Sequence, residues 1–329
     1  MTIRLGIIGR NFIVDWMLAA AAKVPSLQPT AVYSRTMETG KEFAEKYALP
    51  FVYNDLNAFA ESREFDAVYI ASPVCCHYDQ AKRMLLGGKH VLCEKPVTAR
   101  AREVEELVAL AKEKGLVFME AMRPVYDDGL AIVRENLPRI GQLRRVTVEF
   151  SQYSTRYDRV RAGVPGINAF DPSLSNAAIM DIGCYAIESI ISLFGPPDTV
   201  AAHAVHLPSG FEASGIVLMG YPDFTAEAVY SKVAQQVAPI TFMGEDGSIL
   251  MDMLTLTSRV WLRRRDGSEE DLGYVVKEPT NMVCELQAFA RFVESGERPE
   301  KQNRDSISTL RVMDEARRQT GTRFPGDDF

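Results

Sequence analysis

The stretch of this chain best suited to chemistry is Lys89-His90-Val91-Leu92-Cys93-Glu94-Lys95-Pro96, an apolar run that ends in a lysine set directly before a proline. The run reads as a buried strand. Ligands of an open α/β sheet bind just outside the carboxyl ends of its strands. A lysine there can be tuned for proton transfer, because burial and nearby positive charge lower its pKa. The proline permits a cis peptide bond that fixes where the lysine points. Taken alone, Glu94-Lys95-Pro96 reads better as a surface turn with a charge pair, and Glu94 as the structural neighbour of Lys95. Asp181 and Tyr185, four apart on a predicted helix, form a second group and share one face. Gly183 between them costs about 1 kcal/mol against alanine in a helix interior, which points to a close approach there. By themselves the two residues read as a helix cap and a core tyrosine. Arg156, Tyr157, Asn168 and Phe170 lie in a polar, aromatic loop over 153–175. They suit a hydroxylated substrate weakly, since any solvent loop has that composition.

The elements that must position these groups alternate through the first third of the chain. Strand patterns at 3–8, 30–33, 52–53, 67–70, 91–93 and 116–119 are separated by helical patterns near 13–20, 38–47, 77–86 and 103–114. Asp55 caps a further short helix. Gly115 stops the helix before the sixth strand. Strands alternating with helices of this length imply βαβ units and a parallel sheet. After about Arg123 the rhythm changes. A helix at 128–136, an alternating strand around Val146, Val148 and Phe150, a helix at 177–193 and several strands within 200–262 follow. Helices at 283–293 and 306–318 close the chain, the latter with Ile307, Leu310 and Met313 on one face. The expected fold is α/β: a Rossmann-type doubly wound parallel sheet over 1–122, then an α+β domain over 123–329 with a largely antiparallel, open-faced sheet. The C-terminal helix packs back on the first domain in this reading. Helices beginning near Ala177 and Val283 are expected to cover one face of the second sheet, which carries Ile216, Leu218, Val229, Ile240 and Phe242. The other face is left for a second subunit, so a homodimer or higher homo-oligomer is expected.

Gly6-Ile7-Ile8-Gly9-Arg10-Asn11-Phe12-Ile13-Val14 sits between the first strand and the first helix, the context a dinucleotide fingerprint requires. Gly9 supplies the tight turn; Asn11 and Val14 stand where the pattern has its other glycines. Asn adopts positive φ more readily than most residues, which would preserve the turn. The helix N-terminus at Phe12 and Ile13 offers backbone N–H groups to a phosphate. An ordinary βα turn is the competing reading. At the end of the second strand, Ser34-Arg35-Thr36 replaces the acidic residue that holds a ribose 2′-hydroxyl in an NAD site. An arginine with hydroxyl neighbours suits a 2′-phosphate, so NADP is favoured and NAD remains possible. Ser72, Pro73 and His77 follow the fourth strand near the expected crevice. His77 contacts the cofactor or, preferably, caps a helix.

Composition narrows the class. Hydrophobic residues at 47% and charged residues at 25% describe a globular domain. A net charge of −7 argues against a nucleic-acid partner. The basic run Arg263-Arg264-Arg265 precedes Asp266-Gly267, a turn signal, and reads as a solvated hairpin end. No apolar run reaches the roughly 18 residues of a membrane span, and the N-terminus has no secretory pattern. The five cysteines, Cys75, Cys76, Cys93, Cys184 and Cys284, have no paired spacing and read as reduced, mostly buried thiols of a cytoplasmic protein. No metal site is expected: the chain has four His, and His203 and His206 point to opposite faces of a strand.

The chain resembles the Gfo/Idh/MocA oxidoreductases, named for glucose–fructose oxidoreductase, inositol dehydrogenase and a rhizopine-catabolism protein. The resemblance rests on Gly6-Ile7-Ile8-Gly9, Tyr33-Ser34-Arg35, Ala67 to Pro73, His77, and the specific block from Gly88 to Pro96. It continues through Glu120-Ala121-Met122-Arg123 and Asp181-Ile182-Gly183-Cys184-Tyr185. The nearest likeness is to the dihydrodiol dehydrogenase and sugar dehydrogenase branch, which has Tyr where others have His after Asp-x-Gly. Two departures are Asn11 for a loop glycine and Ser175-Asn176-Ala177 for a Gly-Gly-Ala stretch. The resemblance implies NAD(P)-dependent hydride transfer with a sugar, cyclitol or related polyol. Lys95 would be the catalytic lysine, with Asp181 and Tyr185 at the partner positions. Cofactor contacts then fall to Gly9, Arg10, Asn11, Phe12, Ile13, Ser34, Arg35, Ser72, Pro73, His77 and Glu94. Weaker substrate contacts fall to Arg123, Arg156, Tyr157 and Asn168. The alternatives are an NAD-linked cyclitol dehydrogenase, a non-catalytic nicotinamide-nucleotide sensor suggested by Asn11, and a structural subunit.

Overall fold

A computed structural model describes residues 2–274 and 281–329. In chain order its principal elements are β1 Ile3–Ile8, α1 Phe12–Ala21, β2 Leu27–Tyr33, α2 Met37–Tyr47, β3 Phe51–Tyr53, α3 Leu56–Glu61, β4 Ala67–Ile70, α4 Val74–Leu86, β5 His90–Glu94, α5 Ala101–Lys114 and β6 Phe118–Ala121. There follow α6 Asp128–Asn136, β7 Leu143–Ser151, α7 Tyr157–Arg161, a π-helical turn Ile179–Gly183, α8 Cys184–Phe194, β8 Thr199–His206, β9 Glu212–Gly220 and β10 Thr225–Ser231. The chain continues through β11 Ile240–Gly244, β12 Gly247–Met251, β13 Arg259–Arg264, β14 Glu269–Tyr274, α9 Met282–Ser295 and α10 Glu300–Thr320.

These residues fall into two units, Met1–Arg123 with Met282–Ile307, and Pro124–Asn281 with Ser308–Phe329. The first holds a parallel sheet ordered β3-β2-β1-β4-β5-β6. The chain order reverses between β1 and β4, the switch point at which doubly wound sheets bind ligands. β1 and β4 are almost wholly buried and lack polar alternation, as strands covered on both faces must. Helix limits follow local chemistry: Asp55 Oδ1 accepts the Ala58 N–H at 2.7 Å, and Gly115 ends α5 at φ 69°. The expected sixth strand begins at Phe118 rather than Leu116. α9, expected to cover the second sheet, packs on α1 in the first unit. Its apolar stripe, Met282, Leu286, Phe289 and Ala290, is buried.

The second unit holds a sheet ordered β14-β13-β12-β11-β7-β10-β9-β8, antiparallel except for the β7–β10 pair. Alternation divides its residues between two faces. Ile240 and Phe242 are buried, whereas Leu218 is 39% exposed. α8 packs against β7 and β10, and α6 against β12, β13 and β14. The β13–β14 hairpin turns at Gly267, φ 86°, and its arginines pair across it, Arg263 with Glu269 and Arg264 with Glu270. All five cysteines are unbridged, but burial is fuller for Cys93 and Cys184 than for Cys76 and Cys284, and Cys75 is exposed.

Candidate active site

In the first unit the Lys95–Pro96 peptide is cis. Parallel register sets Ile70 beside Cys93 and Cys93 beside Glu120, so three strand ends surround the turn. Glu120 Oε1 accepts the Val97 N–H at 2.9 Å. The Tyr69 hydroxyl donates to Glu94 Oε1 at 2.5 Å, and the Lys95 N–H lies 3.3 Å from Glu94 Oε2. His77 is buried, with Nδ1 3.1 Å from Pro96 O and Nε2 2.8 Å from Ser72 O. It is therefore a strut between the ends of β4 and β5, not a helix cap: α4 starts after Pro73 and has no side-chain cap. A neutral imidazole has one N–H and serves one of the two carbonyls at a time. Burial pushes the His77 pKa below its usual value; the two carbonyls oppose this and the charge of Lys95 adds to it.

A pair of interacting acids, Glu94 and Glu285, adjoins the turn. Glu285, on α9, is fully buried, and among the described residues neither carboxyl oxygen has a hydrogen-bond partner. Burial raises its pKa well above the carboxylate range, Glu94 raises it further, and Arg123 opposes. Glu94 keeps some surface, yet lost hydration is again the largest influence and raises its pKa against the pull of Tyr69, Lys95 and Arg123. The Tyr69 hydroxyl is pushed up by burial and by Glu94. Two carboxyls in one low-dielectric cluster resist simultaneous ionisation, so the group holds a proton where a surface pair would not.

The loop after β1 is built as a glycine turn. Gly9 has φ 116°, and a Cβ there would lie 2.5 Å from Ala71 O. Asn11 does not take the positive φ expected of it. At φ −84° it is the N-cap of α1: its Oδ1 accepts from Ile13 N at 3.1 Å and Val14 N at 3.4 Å, while its Nδ2 donates to Ala71 O at 3.0 Å. Such a cap contributes about 1 kcal/mol to its helix. Phe12 and Trp16 stand exposed on α1 and meet edge to face. At the end of β2, hydroxyls form a chain, Ser34 Oγ to Thr39 Oγ1 at 2.8 Å and Thr36 Oγ1 to Thr39 Oγ1 at 2.7 Å. Arg10 reaches this cluster, its Nη1 donating to Thr39 O at 3.1 Å, and the exposed Arg35 is adjacent in sequence. Ser72 Oγ donates to Gln80 Oε1 at 2.7 Å.

In the second unit Asp181 lies in the π-helical turn and Tyr185 in α8, so the expected single α-helix is interrupted between them. π turns are rare and concentrate at functional sites. Here the buried Glu212 accepts the Ile179 N–H at 2.9 Å and holds the start of the turn. Gly183 meets the close approach its position implied: a Cβ would lie 3.0 Å from the Tyr230 ring. Tyr185 is buried and packs edge to face on Phe150. Asp181 Oδ2 pairs with Lys232 Nζ at 2.7 Å. Asn168 and Arg156 are exposed, and Tyr157 stacks on Phe170 with 5.8 Å between centroids.

The structure thus gathers Lys95, Glu94, His77 and Arg123 in one unit, and Asp181, Tyr185, Tyr157 and Asn168 in the other. Sequence reading missed Tyr69, Glu120, Glu285 and Lys232. For Glu120 a signal existed, a carboxylate within a four-residue buried strand. For Lys232, a polar residue after a strand, there was none.

Fold and site together describe an oxidoreductase of the nicotinamide-nucleotide class. Residues 3–122 match the oxidoreductase family with an NAD-binding Rossmann fold, and residues 137–250 match the GFO/IDH/MocA C-terminal domain. The chain belongs to this GFO/IDH/MocA family. It is 40% identical over 327 residues to the scyllo-inositol 2-dehydrogenase (NADP(+)) of Bacillus subtilis, covering 99% of each chain. It is 31% identical over 303 residues to the dTDP-3,4-didehydro-2,6-dideoxy-alpha-D-glucose 3-reductase of Streptomyces violaceoruber, covering 88% of this chain and 85% of that one. The solved 3-ketoreductase of Actinomadura kijaniata, in complex with NADP and TDP-benzene, superposes with a TM-score of 0.85 at 26% identity, covering 98% and 99% of the two chains.

Proposed function

We propose that this protein is an NADP-preferring dehydrogenase or reductase of a polyhydroxylated small molecule, a cyclitol or sugar, with Lys95 as its acid/base. The observation that carries the reading is the turn at Lys95: it ends β5 beside the switch point of the sheet and is held by His77, Glu120, Glu94 and Tyr69. A bound nicotinamide supplies the hydride acceptor or donor. Lys95, as the neutral amine, takes the hydroxyl proton as the C–H hydride leaves the same carbon; in reduction its ammonium returns that proton to the carbonyl oxygen. Asp181 and Tyr185 orient the substrate's hydroxyls, with weaker contacts from Arg123, Arg156, Tyr157 and Asn168. Glu94 and His77 hold the lysine turn.

The cofactor's pyrophosphate fits the N–H groups of Asn11 and Phe12, ahead of the pair already engaged by the cap, with Gly9 allowing the close approach. Ile13, Ser72 and Pro73 complete that wall. Arg10 and Arg35 beside the hydroxyl chain of Ser34, Thr36 and Thr39 suit a 2′-phosphate, which favours NADP over NAD. The non-catalytic reading loses its support, because Asn11 serves as a helix cap. Homodimerisation through the open sheet face, where Val205 is 55% and Leu218 39% exposed, and a cytoplasmic location complete the reading. Sedimentation of the purified protein as a monomer would remove the dimer.

NADP+ reduction with scyllo-inositol, myo-inositol and a set of aldoses tests the function. Turnover with at least one polyol, and a clear preference for NADP+ over NAD+, is expected. No binding of either cofactor by fluorescence titration would overturn the enzyme reading.

A further inference from the structure

Lys232 follows β10 and belongs to none of the motifs discussed above. It is 4% exposed, whereas the Asp181 side chain with which it pairs is 40% exposed. Its backbone is pinned on both sides: its N–H donates to Ala213 O at 2.9 Å, and its carbonyl accepts from Ser154 N at 2.9 Å. Its Nζ donates to Ala169 O at 2.6 Å and lies 4.7 Å from the Phe170 ring centroid and 5.3 Å from that of Phe211. Those rings form a small core with Ala213, against which Tyr157 and Ile167 pack.

A buried ammonium must be met by opposite charge and acceptors, and here one carboxylate, one carbonyl and two aromatic faces do so. The pair is unequal, with its cation inside and its anion toward the surface. A pair in water at both ends is worth little, and one enclosed at both ends loses the hydration of both charges, so neither setting by itself explains a buried cation joined to an open carboxylate. This arrangement presents an anchored carboxylate to a ligand. It also ties the loop carrying Asn168 to the π turn carrying Asp181, since one ammonium holds Ala169 and Asp181 together.

We infer that Lys232 is a positioning residue: it fixes the Asp181 carboxylate as an ionised hydrogen-bond acceptor for a hydroxyl of a neutral polyol and holds the Asn168 loop beside it. The inference rests on the reading of Asp181 as a substrate-side group. Charge matched inside the protein leaves a strong acceptor with no net negative charge, which suits an uncharged cyclitol or sugar.

A double-mutant cycle with Lys232→Gln and Asp181→Asn, using NADP+ and scyllo-inositol, tests this. Lys232→Gln should lower kcat/KM by about 30-fold, mainly through KM, while NADPH affinity by fluorescence stays within about twofold. The double variant should be no more than about threefold worse than the weaker single variant, because both act on one contact. Losses that multiply overturn the inference, as does an unimpaired Lys232→Gln beside a defective Asp181→Asn. A fully active Asp181→Asn removes the underlying reading of Asp181, and the inference with it. Should Lys232→Gln not fold, Lys232→Arg decides. A raised KM with kcat within about threefold supports a cation whose position sets Asp181, and an unchanged KM contradicts it.

Discussion

The turn at Lys95 and the pair at Asp181 are held by opposite means. Around Lys95 the supports are mostly buried: a histidine strut, an acid cluster whose pKa values burial raises, and backbone N–H groups received by Glu94 and Glu120. Around Asp181 a buried cation pairs with the carboxylate, which stays partly exposed, while Glu212 holds the start of the turn. The first region belongs to strand ends whose register is set by a buried parallel sheet. The second belongs to a π turn and a loop, where no strand ladder sets the position and side chains, Glu212 and Lys232 among them, make the ties. On the proposed roles, a lysine that moves one proton gains from a rigid, buried frame, and an aspartate that recognises hydroxyls gains from an exposed acceptor with a fixed aim.

The largest expected effect is on the Lys95 side. Lys95→Ala should lower kcat by at least about 100-fold, or about 2.7 kcal/mol in barrier, while NADPH still binds. Turnover at the wild-type rate would take the acid/base role from Lys95. A smaller effect is expected at the end of β2: Arg35→Ala should raise the KM for NADP+ by about tenfold and leave that for NAD+ almost unchanged, reflecting one lost charge-assisted contact. Equal losses for both cofactors would contradict the 2′-phosphate assignment. The smallest effect concerns the acid cluster. Because the Glu285 pKa is raised in the folded state, the stability its proton contributes is full below the ordinary carboxylate range and is lost as pH rises toward the folded pKa. Glu285→Gln cannot ionise, so its thermal midpoint should fall less than that of the wild type as pH rises above the ordinary carboxylate range. Parallel curves for the two proteins would show that Glu285 is not protonated in the fold.

The same contrast explains what was legible in the sequence. The parallel sheet, the lysine turn and the Asp55 cap depend on local pattern: apolar runs, a Lys-Pro step, an N-cap side chain. The sheet and the cap were readable residue by residue, whereas the lysine turn taken alone read as a surface turn and gained meaning only from the strands around it. Asn11 was misread because a short polar side chain serves equally at a left-handed position or as a cap, and only the backbone separates the two. α9 was placed on the wrong sheet because its apolar stripe shows that it is buried but not against what. The π turn has no period of its own in a helical pattern. Lys232 and Glu285 act on partners far away in the chain, and nothing in their neighbourhoods marks them.

The division of labour is tested most directly by titrating NADPH into Lys95→Ala and Asp181→Asn side by side, and then measuring NADP+ reduction by each with the polyol the wild type turns over fastest. Both variants should bind NADPH within about threefold of the wild type and both should lose turnover, Lys95→Ala through kcat and Asp181→Asn mainly through KM. Loss of NADPH binding in Asp181→Asn, or undiminished turnover in Lys95→Ala, would contradict the account.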